Sequence, residues 1–149
     1  MRSSTFLRPL LILVLGLFAF NAYAQDVVEV VIEGNDQMRF NLNEIKVKEG
    51  QTVKLTLKHV GKLPEAAMGH NWVLLTPGTE LPAFAQEAMK AKDNEYVPAG
   101  SNAVIVATEL IGGGEETTIE FTAPAKGTYD FICSFPGHYA LMKGKFIVE

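Results

Sequence analysis

Along most of the chain apolar and polar residues alternate one by one. The runs DVVEVVIE (26–33), EIKVKEG (44–50), QTVKLTLKH (51–59), NWVLL (71–75), NAVIVAT (102–108), TTIEFTA (117–123), GTYDFIC (127–133) and GKFIVE (144–149) are rich in Val, Ile, Phe, Tyr and Thr, and Gly, Pro or Asn lies between most of them. A period of two with turn residues at the breaks predicts strands. Several such strands in one chain predict an all-β sandwich. One stretch departs from this rule: in ELPAFAQEAMKAKDNEY (80–96), Leu81, Phe84, Ala85, Ala88 and Met89 fall on one helical face, so a single short helix is expected to pack between strands. There is no internal repeat, low-complexity segment or linker to divide the chain.

Side-chain parity within the strands says which residues face the core. In QTVKLTLKH the apolar set is Val53, Leu55 and Leu57, and His59 continues it, opposite Lys54 and Lys58. In GTYDFIC, Tyr129 and Phe131 share a face with Cys133, while Thr128 and Asp130 oppose them. The imidazole and the thiol are therefore both expected to point inward. His70 shares parity with Trp72 and Leu74, and Met142 shares parity with Phe146 and Val148 if the last strand extends back that far.

The first 24 residues change the picture by adding an address. Arg2 and Arg8 stand before the apolar run LLILVLGLFAF, and AYA follows with a small-x-small pattern ending at Ala24. These are the three regions of a secretory signal peptide, and the apolar run is short of the roughly 20 residues that span a bilayer. Export to a periplasm or the cell exterior is expected, with residues 25–149 as one domain. Removal of the leader leaves 11 Lys and Arg against 17 acids, a formal charge of −6, which argues against a nucleic-acid binder.

An exported chain with one cysteine cannot form an internal disulfide, so Cys133 is expected to be protected or occupied. It opens the stretch CSFPGHYALM, in which His138 and Met142 follow at spacings of five and four around a Pro-Gly turn. A thiolate, an imidazole and a thioether on one tight loop, joined by a second histidine, make the donor set of a blue-copper electron-transfer centre. Either His70 or His59 could supply that second imidazole. His70 follows Met68 and Gly69 at a strand entrance, where a loop can carry it to the end of the sandwich, and His59 lacks such a neighbourhood.

The segments GNDQMRFN (34–41), MGHNWVL (68–74), LIGGGE (110–115) and CSFPGHYALMKG (133–144) resemble the azurins, blue-copper proteins with the Greek-key β-sandwich of the cupredoxin fold. The resemblance runs over nearly all of residues 25–149. It implies one copper ion cycling between Cu(II) and Cu(I), held by His70, Cys133 and His138, with Met142 as a weak axial ligand and the backbone carbonyl of Gly69 opposite. It further implies that Asn71 ties the His70 segment to the Cys133 loop and that the Phe135 N–H donates to the Cys133 sulfur. Met38, Leu63, Ala67, Met68, Phe135, Pro136, Gly137 and Ala140 match the family's apolar docking patch around His138. The implied partners are redox proteins such as c-type cytochromes or copper and haem reductases, and a monomer is expected.

Two departures from the family stand out. Azurins usually carry a disulfide far from the copper, and its partner cysteines are missing here. Tyr139 stands where a small polar residue is commoner, which places a bulky ring beside the exit histidine.

Other chemistries fit less well. A thiol hydrolase would pair Cys133 with His138 as base, but no third orienting residue accompanies them. Zinc would require four strong ligands, and a thioether is a poor fourth. A copper carrier or storage protein could use the same ligands, though it should expose them. His59 is read as a satisfied core histidine, with a proton-linked switch of the copper potential as the alternative.

Overall fold

The alternating runs form two sheets that face each other in a computed structural model describing residues 26–149. The first sheet contains β1 (Val27–Asn35), β2 (Arg39–Phe40), β4 (Thr52–His59) and β7 (Glu116–Thr122) in the order β2-β1-β4-β7. The second contains β3 (Glu44–Val47), β5 (Val73–Leu75), β6 (Val104–Ala107), β8 (Gly127–Ile132) and β9 (Lys143–Val148) in the order β3-β9-β8-β5-β6. Two pairs, β1 with β4 and β3 with β9, run parallel; the others are antiparallel. The chain crosses repeatedly between the sheets, the mark of a Greek-key sandwich.

Strand parity decides what fills the space between the sheets. Ile32 of β1, Val53, Leu55 and Leu57 of β4, Phe131 of β8 and Phe146 of β9 are buried and meet Trp72 and Leu74 in one core. Outward positions of β4 and β7 are polar and paired across strands: Lys54 reaches Glu29 at 3.3 Å, Lys58 reaches Glu116 at 2.9 Å, and the Thr56 and Thr118 hydroxyls meet at 2.8 Å. These exposed pairs each contribute well under about 1 kcal/mol. The apolar face does the stabilising: each large side chain removed from water is worth roughly 1.5–3 kcal/mol.

One strand is apolar on both faces, and the reason is the predicted helix. In α2 (Leu81–Lys90) Phe84, Ala85 and Ala88 are buried, and Phe84 and Ala88 join Val73, Leu75 and Ile132 in a second core on the outer side of the second sheet. The predicted helical face is one residue too wide, because Met89 lies beyond the sheet's reach and is 49% exposed. Two short elements have no signal in the alternation: the two-residue strand β2 and the single-turn helix α1 (Glu65–Met68). The expected inserted helix is α2, and α1 is a further single turn in the loop that leads to His70. Among the described residues no helix is long and apolar enough to cross a membrane. The leader assigned to residues 1–24 lies outside the described residues.

Candidate metal centre

The end of β8 and the start of β9 form the rigid base of the ligand loop. Cys133 extends the ladder one step beyond β8 by donating its N–H to Met142 O at 2.9 Å. Between them the chain turns at Gly137, whose φ of 83° lies in the left-handed region, a conformation that costs glycine little. A 3-10 turn, His138–Ala140, follows. His138 donates its N–H to Phe135 O at 3.0 Å, and Met142 donates to His138 O at 2.8 Å. These bonds turn the side chains of Cys133, His138 and Met142 into the sandwich, where they keep 0%, 3% and 0% of their surface.

His70 arrives from the other side of the same end. Two backbone bonds with Ile111, at 3.0 and 2.9 Å, fix its segment just before β5. Its Nδ1 lies 3.9 Å from Cys133 Sγ, and His138 Nδ1 lies 3.5 Å from the same sulfur. The three ligand atoms all stand within 4.8 Å of one another. Gly69 O sits 3.9 Å from the sulfur. A Cβ on Gly69 would come within 2.7 Å of Glu65 O and 3.0 Å of the Phe135 ring, so only a glycine lets this carbonyl approach. Gly34 is constrained in the same way, since a Cβ there would fall 2.7 Å from His70 Cδ2 and 3.2 Å from Met142 Cε. The His70 ring and the Met142 thioether therefore both close on the same bare backbone.

Hydrogen bonds settle which imidazole nitrogens are free. His70 Nε2 donates to Asn35 O at 2.9 Å, which leaves the Nδ1 lone pair directed at the sulfur. His59 is disposed differently: its Nε2 donates to Met68 O at 2.8 Å, and its Nδ1 accepts from Gly61 N–H at 3.0 Å. With both nitrogens engaged, His59 stacks on His70 and has no lone pair to offer. Of the two candidate imidazoles only that of His70 faces Cys133. His59 nevertheless packs directly against the site.

Burial governs the protonation of the cluster. It pushes the Cys133 thiol up to about 12, only partly opposed by the backbone N–H groups of Asn71 and Phe135. Burial likewise pulls His138 down to about 4, with His70 and His59 adding to the effect. His70 is lowered by burial as well, against the raising influence of its bond to Asn35 O. At neutral pH the pocket thus holds a thiol and two neutral imidazoles. A thiolate needs a cation beside it.

Around the sulfur a second set of bonds joins distant segments. Asn71 Oδ1 accepts from Ser134 N–H at 2.8 Å, and Asn71 Nδ2 donates to Ser134 Oγ at 2.9 Å and to Glu95 O at 3.0 Å. Ser134 Oγ donates in turn to Tyr96 O at 2.7 Å. The residues after His70 and after Cys133 are thereby locked together. Glu95 and Tyr96 hold φ values of 56° and 60°, a left-handed pair that costs on the order of 1 kcal/mol per residue.

The donor set fits copper. Two imidazoles, one thiolate and a nearby thioether, with no carboxylate in the cluster, suit a soft metal with a trigonal strong-ligand plane and poorly suit Mg²⁺ or Ca²⁺. Sequence comparison points the same way, since the profile of the copper-binding proteins, plastocyanin/azurin family, matches residues 26–149. The chain belongs to this family. It is 47% identical to the azurin of Alcaligenes faecalis over 121 residues, covering 78% of this chain and 94% of that one. With the azurin of Pseudomonas chlororaphis it shares 38% over 126 residues, covering 81% and 98%. Among solved structures, auracyanin A, described as a "blue" copper protein from Chloroflexus aurantiacus, superposes with a TM-score of 0.76 at 35% identity, covering 83% of this chain and 99% of that chain.

The positions that match the family's docking patch gather at the copper end with unequal exposure. Leu63, Ala67, Gly137 and Ala140 are exposed, whereas Met38, Met68, Phe135 and Pro136 are half-buried. Leu141, 45% exposed, is a residue that sequence reasoning missed; its parity, opposite to buried Met142, was the available signal. Gly34 was missed too, because nothing local marks a glycine whose neighbours arrive from 36 and 108 residues away. Tyr139 makes a contact that its sequence position did not signal. Its ring packs, half-buried, on the second core beneath α2 and lines a cavity with Phe135, Pro136 and Gly137.

Proposed function

We propose that the protein is an exported blue-copper electron carrier that passes single electrons between redox proteins and makes or breaks no substrate bond. In this reading His70, Cys133 and His138 would hold the copper strongly, the Met142 thioether would bind it weakly, and Gly69 O would be a more distant contact. When bound, the copper supplies a one-electron Cu(II)/Cu(I) couple. The observation that carries the reading is the convergence of two Nδ1 atoms and Sγ within 4.8 Å inside a buried pocket.

The chain's own part is to hold that pocket still. His70 is aimed by Asn35 O and backed by His59, and Ser134 and Asn71 lock the sulfur's flank. A site already fixed by the fold needs little rearrangement when its charge changes, which suits rapid transfer. Enclosure also weighs against a carrier or storage role, since Cys133, His70 and Met142 keep none of their surface and a partner could not take the metal from them directly. Electrons would leave by His138, within the apolar patch of Leu63, Ala67, Gly137 and Ala140. A largely uncharged patch supports brief encounters with a c-type cytochrome or a copper or haem reductase, which use small interfaces.

Stopped-flow mixing of the copper-loaded protein with a c-type cytochrome tests this. Leu63→Glu, which puts a charge in the patch, should slow electron exchange on the order of tenfold while leaving the visible spectrum unchanged. Equal rates for wild type and variant would remove the patch from the reading.

A further inference from the structure

Between β5 and β6 the chain leaves the sandwich on an excursion that contains α2 and a short 3-10 turn, Lys92–Asn94. This excursion grips the ligand loop in two places. At its far end the Glu95 and Tyr96 carbonyls accept from Asn71 Nδ2 and Ser134 Oγ, and the Tyr96 ring stands edge-on to Phe135 with centroids 5.2 Å apart. At its helix it meets Tyr139, which packs on the core that Phe84 and Ala88 share with Ile132, and which lines a cavity of about 200 Å³ together with Ala85 and Met89.

Tyr139 follows His138 directly on the 3-10 turn, so two consecutive side chains diverge. The imidazole turns inward to Cys133 Sγ at 3.5 Å, and the phenol ring turns outward to α2. We propose that Tyr139 is a positioning residue: together with the Glu95–Tyr96 turn it clamps the ligand loop to the excursion and so holds His138 Nδ1 against Cys133. A one-turn 3-10 segment has few bonds of its own and poorer hydrogen-bond geometry than an α-helix. A shift of the His138 backbone away from the sulfur would drag Tyr139 out of an apolar contact, and that coupling is what a small polar residue at 139 could not provide. The left-handed pair serves the other grip. Strained backbone persists where its surroundings demand it, and here it turns two successive carbonyls toward the residues that flank Cys133 and His70.

This inference rests on His138 as a copper ligand, and the test separates the two. Copper(II) is loaded into wild type, Tyr139→Phe and Tyr139→Ser, and the visible spectrum and the rate of copper loss to EDTA are followed. The expected result is a wild-type spectrum and rate for Tyr139→Phe, because ring packing is the anchor. Tyr139→Ser should show a shifted spectrum and lose copper on the order of tenfold faster, the usual scale for an outer residue that orients a ligand. Should Tyr139→Ser not fold, Tyr139→Leu takes its place, with a smaller acceleration expected from a side chain that keeps only part of the contact. Amide exchange in β4, unchanged between variants, shows that the copper leaves by local opening. A serine or leucine variant with the wild-type spectrum and loss rate overturns the clamp, as does acceleration matched by faster β4 exchange. Failure of wild type itself to form a blue site would instead overturn the copper assignment.

Discussion

The His59 ring lies against the His70 ring, with centroids 4.2 Å apart and planes 18° from parallel. A residue that ends β4 is thus in contact with the ligand cluster, and its Nδ1 accepts from Gly61 N–H at 3.0 Å. That bond and the one from Nε2 to Met68 O hold the ring face-on to His70. His59→Ala should remove this backing and loosen the His70 ring. The copper-loaded variant is expected to show a shifted visible spectrum; a wild-type spectrum would mean that Asn35 O alone aims His70.

Copper uptake has a proton count fixed by burial. At pH 7 the Cys133 thiol, pushed up to about 12, is protonated, whereas His138, pulled down to about 4, is not. His70 is lowered in the same direction. Binding of Cu(II) in unbuffered solution should therefore release about one proton per ion, from the thiol. The same shifts set the pH dependence of the copper-free protein. Below 6.5 the unfolded chain binds a proton on His138 that the folded chain refuses, so stability is full above 6.5 and falls as the pH drops toward 4, by up to about 3 kcal/mol. Above 9 the unfolded thiol ionises first, and stability falls again as the pH rises. Urea titrations across this range check both limbs; a flat profile from pH 4 to 6.5 would contradict the burial of His138.

Gly34→Ala should damage the site without touching a ligand. The new methyl meets His70 Cδ2 at 2.7 Å and Met142 Cε at 3.2 Å, and the ring cannot retreat because it is bonded to Asn35 O and stacked on His59. Overpacking of this kind costs about 1–3 kcal/mol. The urea midpoint of the copper-free protein is expected to fall with an unchanged slope, and the visible spectrum of the loaded protein to shift.

Much of this was legible in the sequence, for physical reasons. Strand parity places His59 inside once Val53, Leu55 and Leu57 are buried, and Phe131 and Cys133 inside once Tyr129 is, because a period of two leaves no other face for them. The Cys133, His138 and Met142 spacing shows because all three lie on one loop. What parity could not show is side-chain direction in irregular segments. Tyr139 turns to α2 because the second core is open there, an outcome of tertiary packing rather than local pattern. The roles of Gly34 and of the Glu95–Tyr96 turn depend on neighbours far along the chain. Met89 misled because helical periodicity marks a face without saying how far the underlying sheet extends.

The absorption spectrum after addition of one equivalent of Cu(II) tests the central claim most directly. Coordination by Cys133 beside His70 and His138 predicts an intense thiolate-to-copper band near roughly 600 nm, lost in Cys133→Ser. A wild-type protein that binds copper but shows only the faint band of ordinary nitrogen and oxygen ligands would contradict the account.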